Sequence, residues 1–332
     1  MKLLRKLPLL GSFVLFFALA QAPPANPPGE LLRLESSAEA MGSTYSVVLY
    51  GPDRDRLEEA AELAFAEAKR LDAELSNYKP DSPWSQVNRF AAEKPVSVPP
   101  ELFDLLAACV RYSQLSEGAF DITVGPLMRV WGFYKGSGHM PKPGEVKASL
   151  QHVGYKNILL DPKTQTVRFA RPGMEMDPGG IGKGFAVDKM ADVLRKAGIT
   201  SALVSGSGSS IYAIGTPPGE KGWTISIRDP KDETKSVQDI VLKDESLSTS
   251  GSYEKFFMAD GKIYAHIMDP RTGFPAQGML SVSVITPRTI DSEAWCKPFF
   301  INGRQWAAQH KPERTRAFFC EDKAEQQCVW LQ

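Results

Sequence analysis

Apolar residues recur at steps of three and four along three stretches of the chain, and this spacing predicts amphipathic helices. The first stretch spans 54–75 and the second runs from about 100 to 115. The third follows a glycine-rich turn and ends at Gly198, a residue type that commonly stops a helix. A short fourth helix is predicted over 291–300, where Pro298 is expected to disturb it.

Between these helices lie shorter segments rich in β-branched and aromatic residues, which predict strands. Irregular structure is predicted where Pro80 and Pro83 break a loop, at 118–127, and in a polar surface insertion at 135–150. Because strands outnumber helices and alternate irregularly with them, the fold class is predicted to be mixed α/β, of the α+β type. The predicted strands cover 32–34, 45–50, 153–160, 166–169, 202–204, 223–227, 240–242, 263–268, 280–286 and a closing strand pair.

The N-terminal residues have the pattern of an export signal. Positive charges precede an apolar run at 7–19, and small residues suited to cleavage follow it. The sequence therefore predicts a signal peptide at 1–22, a disordered Pro-rich spacer at 23–31 and one domain at 32–332. An exported protein, periplasmic or in the cell envelope, is expected. The alternative is an uncleaved signal anchor, although the apolar run is short for a membrane span.

Charge and cysteine content narrow the classes of partner and site. Lys plus Arg and Asp plus Glu number 39 each, so nothing favours a nucleic acid as partner. None of the four cysteines has the paired spacing of a zinc site. In an oxidising compartment, Cys320 and Cys328 could bridge a terminal hairpin. Cys109 falls on the apolar stripe of a helix and is expected to be a core residue.

The glycine-rich segment at 176–188 has the features of an anion site. Asp177 precedes three closely spaced glycines, and Lys183 stands where the helix begins. Unpaired N–H groups and the positive end of the helix dipole suit a phosphate there. The spacing matches neither a Walker A loop nor the G-x-G-x-x-G dinucleotide fingerprint. A plain strand-to-helix turn, with glycines for tight packing, is the alternative.

A second candidate lies at 266–273, where His266 and Asp269 stand close to the end of a predicted strand. Either side chain could act as a general base. Each side chain also has a purely structural interpretation. His266 could be a strand histidine whose hydrogen bonds are satisfied, and Asp269 could accept the backbone hydrogen bond of an Asx turn. A serine hydrolase is not supported, because the G-x-S-x-G elbow is absent. A histidine metal site is not supported either, since no two of the four histidines stand at helical spacing.

Several short motifs occur together in a specific order. They are Ala-Met-Gly-Ser-Thr-Tyr at 40–45, Leu-Ser-Asn-Tyr at 75–78, Gly-Ala-Phe-Asp-Ile-Thr-Val-Gly-Pro-Leu at 118–127, Trp-Gly-Phe at 131–133, Asp-Pro-Gly-Gly-Ile-Gly-Lys-Gly at 177–184, Ser-Thr-Ser-Gly at 248–251 and His-Ile-Met-Asp-Pro-Arg-Thr-Gly at 266–273. In this order they resemble the FAD:protein FMN transferases, a family formerly described as thiamine-biosynthesis lipoproteins. The resemblance covers roughly 35–330.

The resemblance implies a flavin transferase-like fold with two closely packed subdomains. It implies FAD as substrate, transfer of its FMN half to a Thr or Ser hydroxyl of an acceptor flavoprotein, and release of AMP. The expected acceptor is an exported redox protein, and membrane contact is expected only through an uncleaved signal or that acceptor. The alternatives are an FAD pyrophosphatase that gives FMN and AMP, and a non-catalytic FAD-binding paralogue.

The resemblance also implies roles for individual residues. Catalytic roles follow from the chemistry of pyrophosphate cleavage, in which Lys183 could neutralise charge and His266 or Asp269 could act as the base. The residues expected to bind FAD are Met41, Tyr78, Ala119, Phe120, Asp121, Asp177, Lys183, His266 and Ile267.

Magnesium is the point at which this sequence departs from the family. The resemblance places a magnesium ion on the pyrophosphate, held by a backbone carbonyl that maps to Gly180 and by an Asp and a Thr of a late helix. An ungapped match puts Glu293 and Lys297 at those two positions. Four residues apart on a helix, they could form an ordinary surface ion pair. Alternatively, the Lys297 ammonium replaces the ion, which predicts FAD binding with little dependence on magnesium and slow or absent transfer.

Overall fold

The computed structural model describes residues 31–134, 136, 138–323 and 327–331. From Leu31 onward the chain forms one compact unit. The signal peptide expected at 1–22 lies outside the described residues, as does all but the last residue of the spacer expected at 23–31.

Helices and strands alternate irregularly, and the predicted mixed α/β class is confirmed. The helices are α1 (Arg54–Leu75), α2 (Pro83–Phe90), α3 (Pro100–Leu115), α4 (Gly125–Val130), α5 (Glu145–Leu150), α6 (Gly182–Lys196) and α7 (Thr289–His310), with short 3₁₀ turns at Ile122–Val124, Tyr155–Asn157 and Pro178–Gly180. The strands are β1 (Leu32–Ala40), β2 (Ser43–Gly51), β3 (Val96–Ser97), β4 (Ile158–Asp161), β5 (Thr166–Phe169), β6 (Ala202–Gly206), β7 (Ser210–Ile214), β8 (Trp223–Arg228), β9 (Ser236–Leu242), β10 (Ser246–Gly251), β11 (Phe256–Ala259), β12 (Lys262–Ala265), β13 (Met279–Thr286), β14 (Arg316–Glu321) and β15 (Gln327–Trp330).

One antiparallel sheet of eight strands organises the fold, in the order β1-β2-β6-β7-β10-β13-β14-β15. Strand β13 is buried along its whole length because both faces of the sheet are covered there. Val282 and Val284 pack in one cluster with Phe299 of α7, whereas Ile285 packs with Trp223 of the β8–β9 hairpin. A strand covered on both faces does not alternate between apolar and exposed polar residues, and β13 is instead a continuous run of mostly small and branched residues.

Helices α1 and α6 pack against each other, and α6 also packs against α7. The apolar stripe of α1 contributes Leu57, Ala64 and Leu71, and α6 contributes Met190 and Leu194, to the same large core cluster. Helix α7 lies on β10 and β13. The N-terminal turn of α6 lies beside the first turns of α7, where Gly184 bonds to Glu293.

Several sequence predictions are confirmed. Helices α1 and α3 have the predicted bounds, and α6 begins in the glycine turn and ends before Gly198, which has φ +82°. The closing hairpin is formed by β14 and β15, and Cys320 and Cys328 are joined by the predicted disulfide. Cys109 is buried in the core, as predicted.

Other predictions were wrong in their bounds. Pro83 does not break a loop but begins α2, where the Ser82 hydroxyl accepts a hydrogen bond from the Ser85 N–H. The region predicted as a loop at 118–127 contains a 3₁₀ turn and the start of α4. The strand predicted at 263–268 ends at Ala265.

Helix α7 is longer than predicted, and its irregularity lies elsewhere. It continues through Pro298, because the buried side chains of Phe299 and Phe300 pack directly after it and outweigh the lost backbone hydrogen bond. The break in helical backbone geometry occurs instead at Gly303, with φ +78°. Across the described residues, no helix has both the length and the apolar character that a membrane span requires.

Candidate active site

The glycine turn forms the floor of the candidate site, and Asp177 holds it in shape. The Asp177 carboxylate accepts a hydrogen bond from the Gly179 N–H at 2.7 Å and a second from the Asn77 side-chain amide at 3.3 Å. Burial raises the pKa of Asp177, although the hydrogen bond from Gly179 opposes the shift. The carboxylate therefore fixes the turn that leads into α6, and a helix N-terminus is a favourable place for an anion.

Gly184 allows the first turn of α6 to lie directly on α7. A Cβ atom at this position would stand 2.6 Å from the Thr289 carbonyl oxygen and 2.9 Å from Glu293 Cβ. The Gly184 N–H also donates a short hydrogen bond to Glu293 Oε2. A Walker A loop has Ser or Thr here, and neither would fit this contact.

Asp188 supplies the second link between these helices. Its two carboxylate oxygens accept hydrogen bonds from the N–H groups of Thr289 at 2.7 Å and Ile290 at 2.9 Å. These N–H groups belong to the first turn of α7, so a side chain of α6 caps the N-terminus of α7. Burial raises the pKa of Asp188, and the two backbone hydrogen bonds oppose that shift.

A cleft of about 480 Å³ opens above the glycine turn. This volume lies in the range of small-molecule and cofactor sites. All the predicted FAD-binding and metal positions line it, together with Asn77, Tyr134 and Lys255, to which the sequence assigned no role. The predicted residues that line the cleft are Met41, Tyr78, Ala119, Phe120, Asp121, Asp177, Gly180, Lys183, His266, Ile267, Glu293 and Lys297.

The aromatic residues contribute unequally to the walls. Tyr78 is 73% exposed at the rim, and its hydroxyl donates to the Tyr134 carbonyl oxygen at 3.3 Å. Phe120 is only 3% exposed and packs edge-to-face on Tyr112. The ring of Tyr78 can therefore stack on a planar ligand, whereas the buried Phe120 ring lies beside the glycine turn, where a Cβ atom at Gly180 would stand 3.6 Å from it.

Asp121 shapes the wall rather than presenting a free charge. Its carboxylate accepts hydrogen bonds from the Thr123 N–H at 2.8 Å, the Thr123 hydroxyl at 2.7 Å and the Tyr155 N–H at 2.7 Å. Burial raises the pKa of Asp121, and these hydrogen bonds oppose the shift. The carboxylate thus anchors the loop that carries Ala119 and Phe120.

His266 reaches the cleft as a neutral ring with one nitrogen available. Its Nδ1 lies 3.3 Å from the Lys255 carbonyl oxygen. Because a carbonyl oxygen only accepts, Nδ1 carries the proton and Nε2 has a free lone pair. Burial and the positive charges of Lys183 and Lys297 together lower the pKa of His266 to about 4. The ring is therefore a proton acceptor at neutral pH.

Asp269, the other predicted base, is not brought to the cleft. Its carboxylate forms a paired ion bridge with Arg271, at 2.9 Å to both Nε and Nη2. Arg271 is held in turn by Asn302 at 2.7 Å. Asp269 also accepts a hydrogen bond from the Arg271 N–H at 3.0 Å, so it closes the turn after His266.

Glu293 and Lys297 are not the exposed surface pair that their spacing also allowed. Glu293 is 2% exposed, and Lys183 and Lys297 approach its Oε1 at 3.6 Å and 3.8 Å. The Lys297 ammonium also donates to the Glu293 carbonyl oxygen at 3.1 Å. Burial lowers the pKa of Lys297, and Glu293 opposes that shift. Within the described ranges, no group of three or more His, Cys, Asp or Glu side chains could hold a metal ion.

A model of the ApbE family matches residues 41–319. The chain belongs to the ApbE family. The match includes the glycine turn, the His266 segment and the Glu293–Lys297 turn of α7, so the residues of the cleft lie inside the shared region.

Individual ApbE-family proteins are similar over most of their length. A FAD:protein FMN transferase from Klebsiella pneumoniae (strain 342) is 32% identical over 269 residues, covering 80% of this chain and 81% of that relative. The crystal structure of the ApbE protein from Thermotoga maritima superposes with a TM-score of 0.82 at 29% identity, covering 90% of this chain and 96% of that one. The flavin transferase ApbE from Vibrio cholerae gives a TM-score of 0.79 at 25% identity, covering 91% and 97%. The flavin transferase-like fold is thereby confirmed.

Proposed function

We propose that this chain transfers the FMN half of FAD to a Thr or Ser hydroxyl of an acceptor protein and releases AMP. The observation that carries the proposal is the meeting of Lys183 and His266 in one cleft above a glycine turn, in a chain of the ApbE family. The relatives named FAD:protein FMN transferase and flavin transferase support the same activity. Met41, Tyr78, Ala119 and Ile267 would bound the flavin and adenosine parts of the substrate.

The reaction exchanges one phosphorus–oxygen bond for another. The acceptor oxygen attacks the phosphorus on the riboflavin side of the pyrophosphate, and the bond from that phosphorus to the bridging oxygen breaks. The bridging oxygen leaves with AMP, and His266 Nε2 takes the proton of the attacking hydroxyl. Lys183 and the N–H groups of the glycine turn stabilise the negative charge that develops on the phosphate oxygens. A bound pyrophosphate would also raise the pKa of His266 towards neutrality, which makes it a stronger base.

The test is incubation of the purified chain with FAD and an acceptor peptide that contains a single Thr. We expect a peptide adduct with the mass of FMN and an equal amount of AMP, measured by mass spectrometry and chromatography. A peptide with Thr→Val should give no adduct, and His266→Asn should slow its formation. Free FMN and AMP without adduct would identify a pyrophosphatase instead. FAD that binds but stays intact would identify a binding protein.

We further propose that the chain acts outside the cytoplasm on an exported redox protein and touches a membrane only through an uncleaved signal or that acceptor. The signal pattern at 1–22 and the Cys320–Cys328 disulfide support this location, since disulfides persist in oxidising compartments. Fractionation of cells that express the full chain should place it in the periplasm or envelope. Recovery of the intact N-terminus in the cytosol would contradict the proposal.

A further inference from the structure

Three side chains from two helices meet at the mouth of the glycine turn. Lys183 stands in the first turn of α6, and Glu293 and Lys297 stand one turn apart on α7. We call these three residues the ammonium cluster. Both ammonium groups lie within 4 Å of Glu293 Oε1, and all three residues line the cleft. The cluster therefore belongs to the ligand site and not to the outer surface.

Glu293 is fixed and cannot turn toward a ligand. One of its oxygens accepts the Gly184 N–H, and its side chain is almost completely buried. Its backbone carbonyl oxygen accepts a hydrogen bond from Lys297. With Glu293 held in this way, the two lysine side chains are positioned by a common anchor.

The cluster keeps a net positive charge after its internal pairing. Two ammonium groups share one carboxylate, so one positive charge is uncompensated, and the N-terminus of α6 adds its dipole. The distances of 3.6 Å and 3.8 Å to Oε1 are longer than hydrogen bonds, which leaves N–H donors of both lysines for another anion. The side chains of Lys183 and Lys297 keep 29% and 21% of their surface exposed, so they remain accessible from the cleft.

The same residues do not fit a magnesium ion. Magnesium requires several oxygen ligands in near-octahedral geometry. Of the two Glu293 oxygens, one is used by Gly184 and the other faces two ammonium groups, which would repel a second cation. The Lys297 side chain also lies beside the glycine turn, where a Cβ atom at Gly180 would stand 3.6 Å from Lys297 Cε.

We propose that Lys183 and Lys297, anchored by Glu293, bind the pyrophosphate of FAD directly and make its binding independent of divalent cations. This inference rests on the proposed function, because FAD is taken as the ligand of the cleft. Lys297 supplies a fixed positive charge against Gly180, close to the helix N-terminus. Lys183 supplies a second charge from the other helix, so the two lysines can contact both phosphates.

The test compares FAD binding to the purified chain in excess chelator and in millimolar magnesium, by flavin fluorescence and by calorimetry. We expect the two dissociation constants to agree within about twofold. Lys297→Met should weaken binding about tenfold in chelator, since a charge contact at the cleft is lost, and magnesium should not restore it. Lys297→Arg keeps the charge and should bind within a few-fold of the native chain.

Lys189→Met is the matched control. This lysine lies on the same helix but pairs with Glu101 at 2.7 Å, away from the cleft, so FAD binding should be unchanged. The double variant Glu293→Asp with Lys297→Thr removes the second ammonium and offers carboxylate and hydroxyl oxygens. It should bind FAD several-fold more tightly with magnesium than in chelator, and equal binding in both would count against the inference.

Two results would overturn the inference while leaving the proposed function intact. One is native FAD binding that magnesium strengthens tenfold or more. The other is unchanged binding in a folded Lys297→Met variant. Failure of the native chain to bind FAD in either solution would instead overturn the proposed function together with this inference.

Discussion

Asp188 fixes the relative position of the two helices that carry Lys183 and Lys297. It sits on α6, yet its carboxylate is used entirely by the first N–H groups of α7. Without it, those two N–H donors would be left without their partner at a helix start in the protein interior, which is costly. A residue outside the cleft thus determines the spacing of the cations inside it.

We predict that Asp188→Asn lowers the free energy of unfolding by about 1–3 kcal/mol, because an amide offers one acceptor oxygen where two N–H groups need one each. FAD affinity should fall as well, since α7 shifts against α6. Urea denaturation measures the first effect and calorimetry the second. Asp192→Asn is the control, because Asp192 lies one turn further on and pairs only loosely with Arg195 at 3.4 Å. Equal effects of the two variants would contradict the capping role.

His266 makes the free energy of unfolding depend on pH, and the sign of that dependence follows from the surroundings of the ring. In the folded chain its pKa falls from 6.5 to about 4, through burial and through the charges of Lys183, Lys297 and Lys255. Between these values the unfolded chain binds a proton that the folded chain does not. The contribution of His266 to stability is therefore complete above pH 6.5 and is lost as the pH falls from 6.5 to about 4.

NMR titration of the ligand-free chain can test this directly, since it has only four histidines. One ring signal should titrate near pH 4 and should be missing in His266→Asn. The stability of His266→Asn, measured against the native chain, should show a smaller loss between pH 6.5 and 4. A midpoint near pH 6.5 for that signal would show that burial and the neighbouring charges do not lower the pKa of His266.

The sequence alone indicated most residues of the cleft but not the bonds that hold them. Lys183 and His266 could be predicted because they stand inside recognisable motifs. The role of Asp188 could not, because its partners Thr289 and Ile290 are about a hundred residues away. The sequence predicted Asp269 as a base because it stands close to His266. In the folded turn its carboxylate is instead paired with the Arg271 side chain, a contact that the sequence does not show.

At the scale of elements, the contact of α6 with α7 depends on the absence of a side chain at one position. Gly184 and Gly180 both belong to the glycine-rich segment, but they have different surroundings. A Cβ at Gly184 would collide with the Thr289 carbonyl oxygen, whereas a Cβ at Gly180 would make ordinary contacts of 3.6 Å. Close packing therefore requires a glycine at 184 but not at 180.

We predict that Gly184→Ala destabilises the chain by about 1–3 kcal/mol, the usual cost of overpacking a close contact. Gly180→Ala should change the free energy of unfolding much less. Denaturant titrations of both variants provide the comparison. If Gly184→Ala proved as stable as Gly180→Ala, the two helices would have to be less closely packed than the structure shows.

Helices α1, α3 and α6 could be predicted because their apolar faces repeat without interruption. Strand β10 could not be predicted in this way, because the residues at alternate positions along it are serines. Ser246 and Ser248 are buried, and both bond to the Ser292 hydroxyl of α7, at 3.0 Å and 2.8 Å. Buried serines satisfied by each other give no hydrophobic pattern, so a sequence search for apolar alternation overlooks them.

At the scale of the whole molecule, the disulfide closes the edge of the sheet formed by β14 and β15. Cys320 and Cys328 are directly paired residues of the two strands. We predict that reduction lowers the free energy of unfolding by about 2–3 kcal/mol, mainly by freeing a short loop in the unfolded chain. Denaturation with and without reductant tests this.

The cysteines that remain free provide the control for that measurement. Cys109 and Cys296 are buried, so they should react with an alkylating agent only after unfolding. Mass spectrometry of non-reduced, denatured protein should then show two modified thiols. Four modified thiols in protein from an oxidising compartment would show that the disulfide does not form.

The order of the sheet has a consequence for how the chain folds. Strand β2 finds its second neighbour only in β6, where Tyr45 pairs with Gly206, and the centre of the sheet is not complete before β13. Pairing between such distant segments costs a large loop-closure entropy before the strand–strand contacts form and stabilise the chain. A chain that emerges N-terminus first therefore leaves β2 without its second neighbour until more than half of the chain has emerged. During that interval the unpaired edge of β2 is a site at which two chains can pair edge to edge and aggregate.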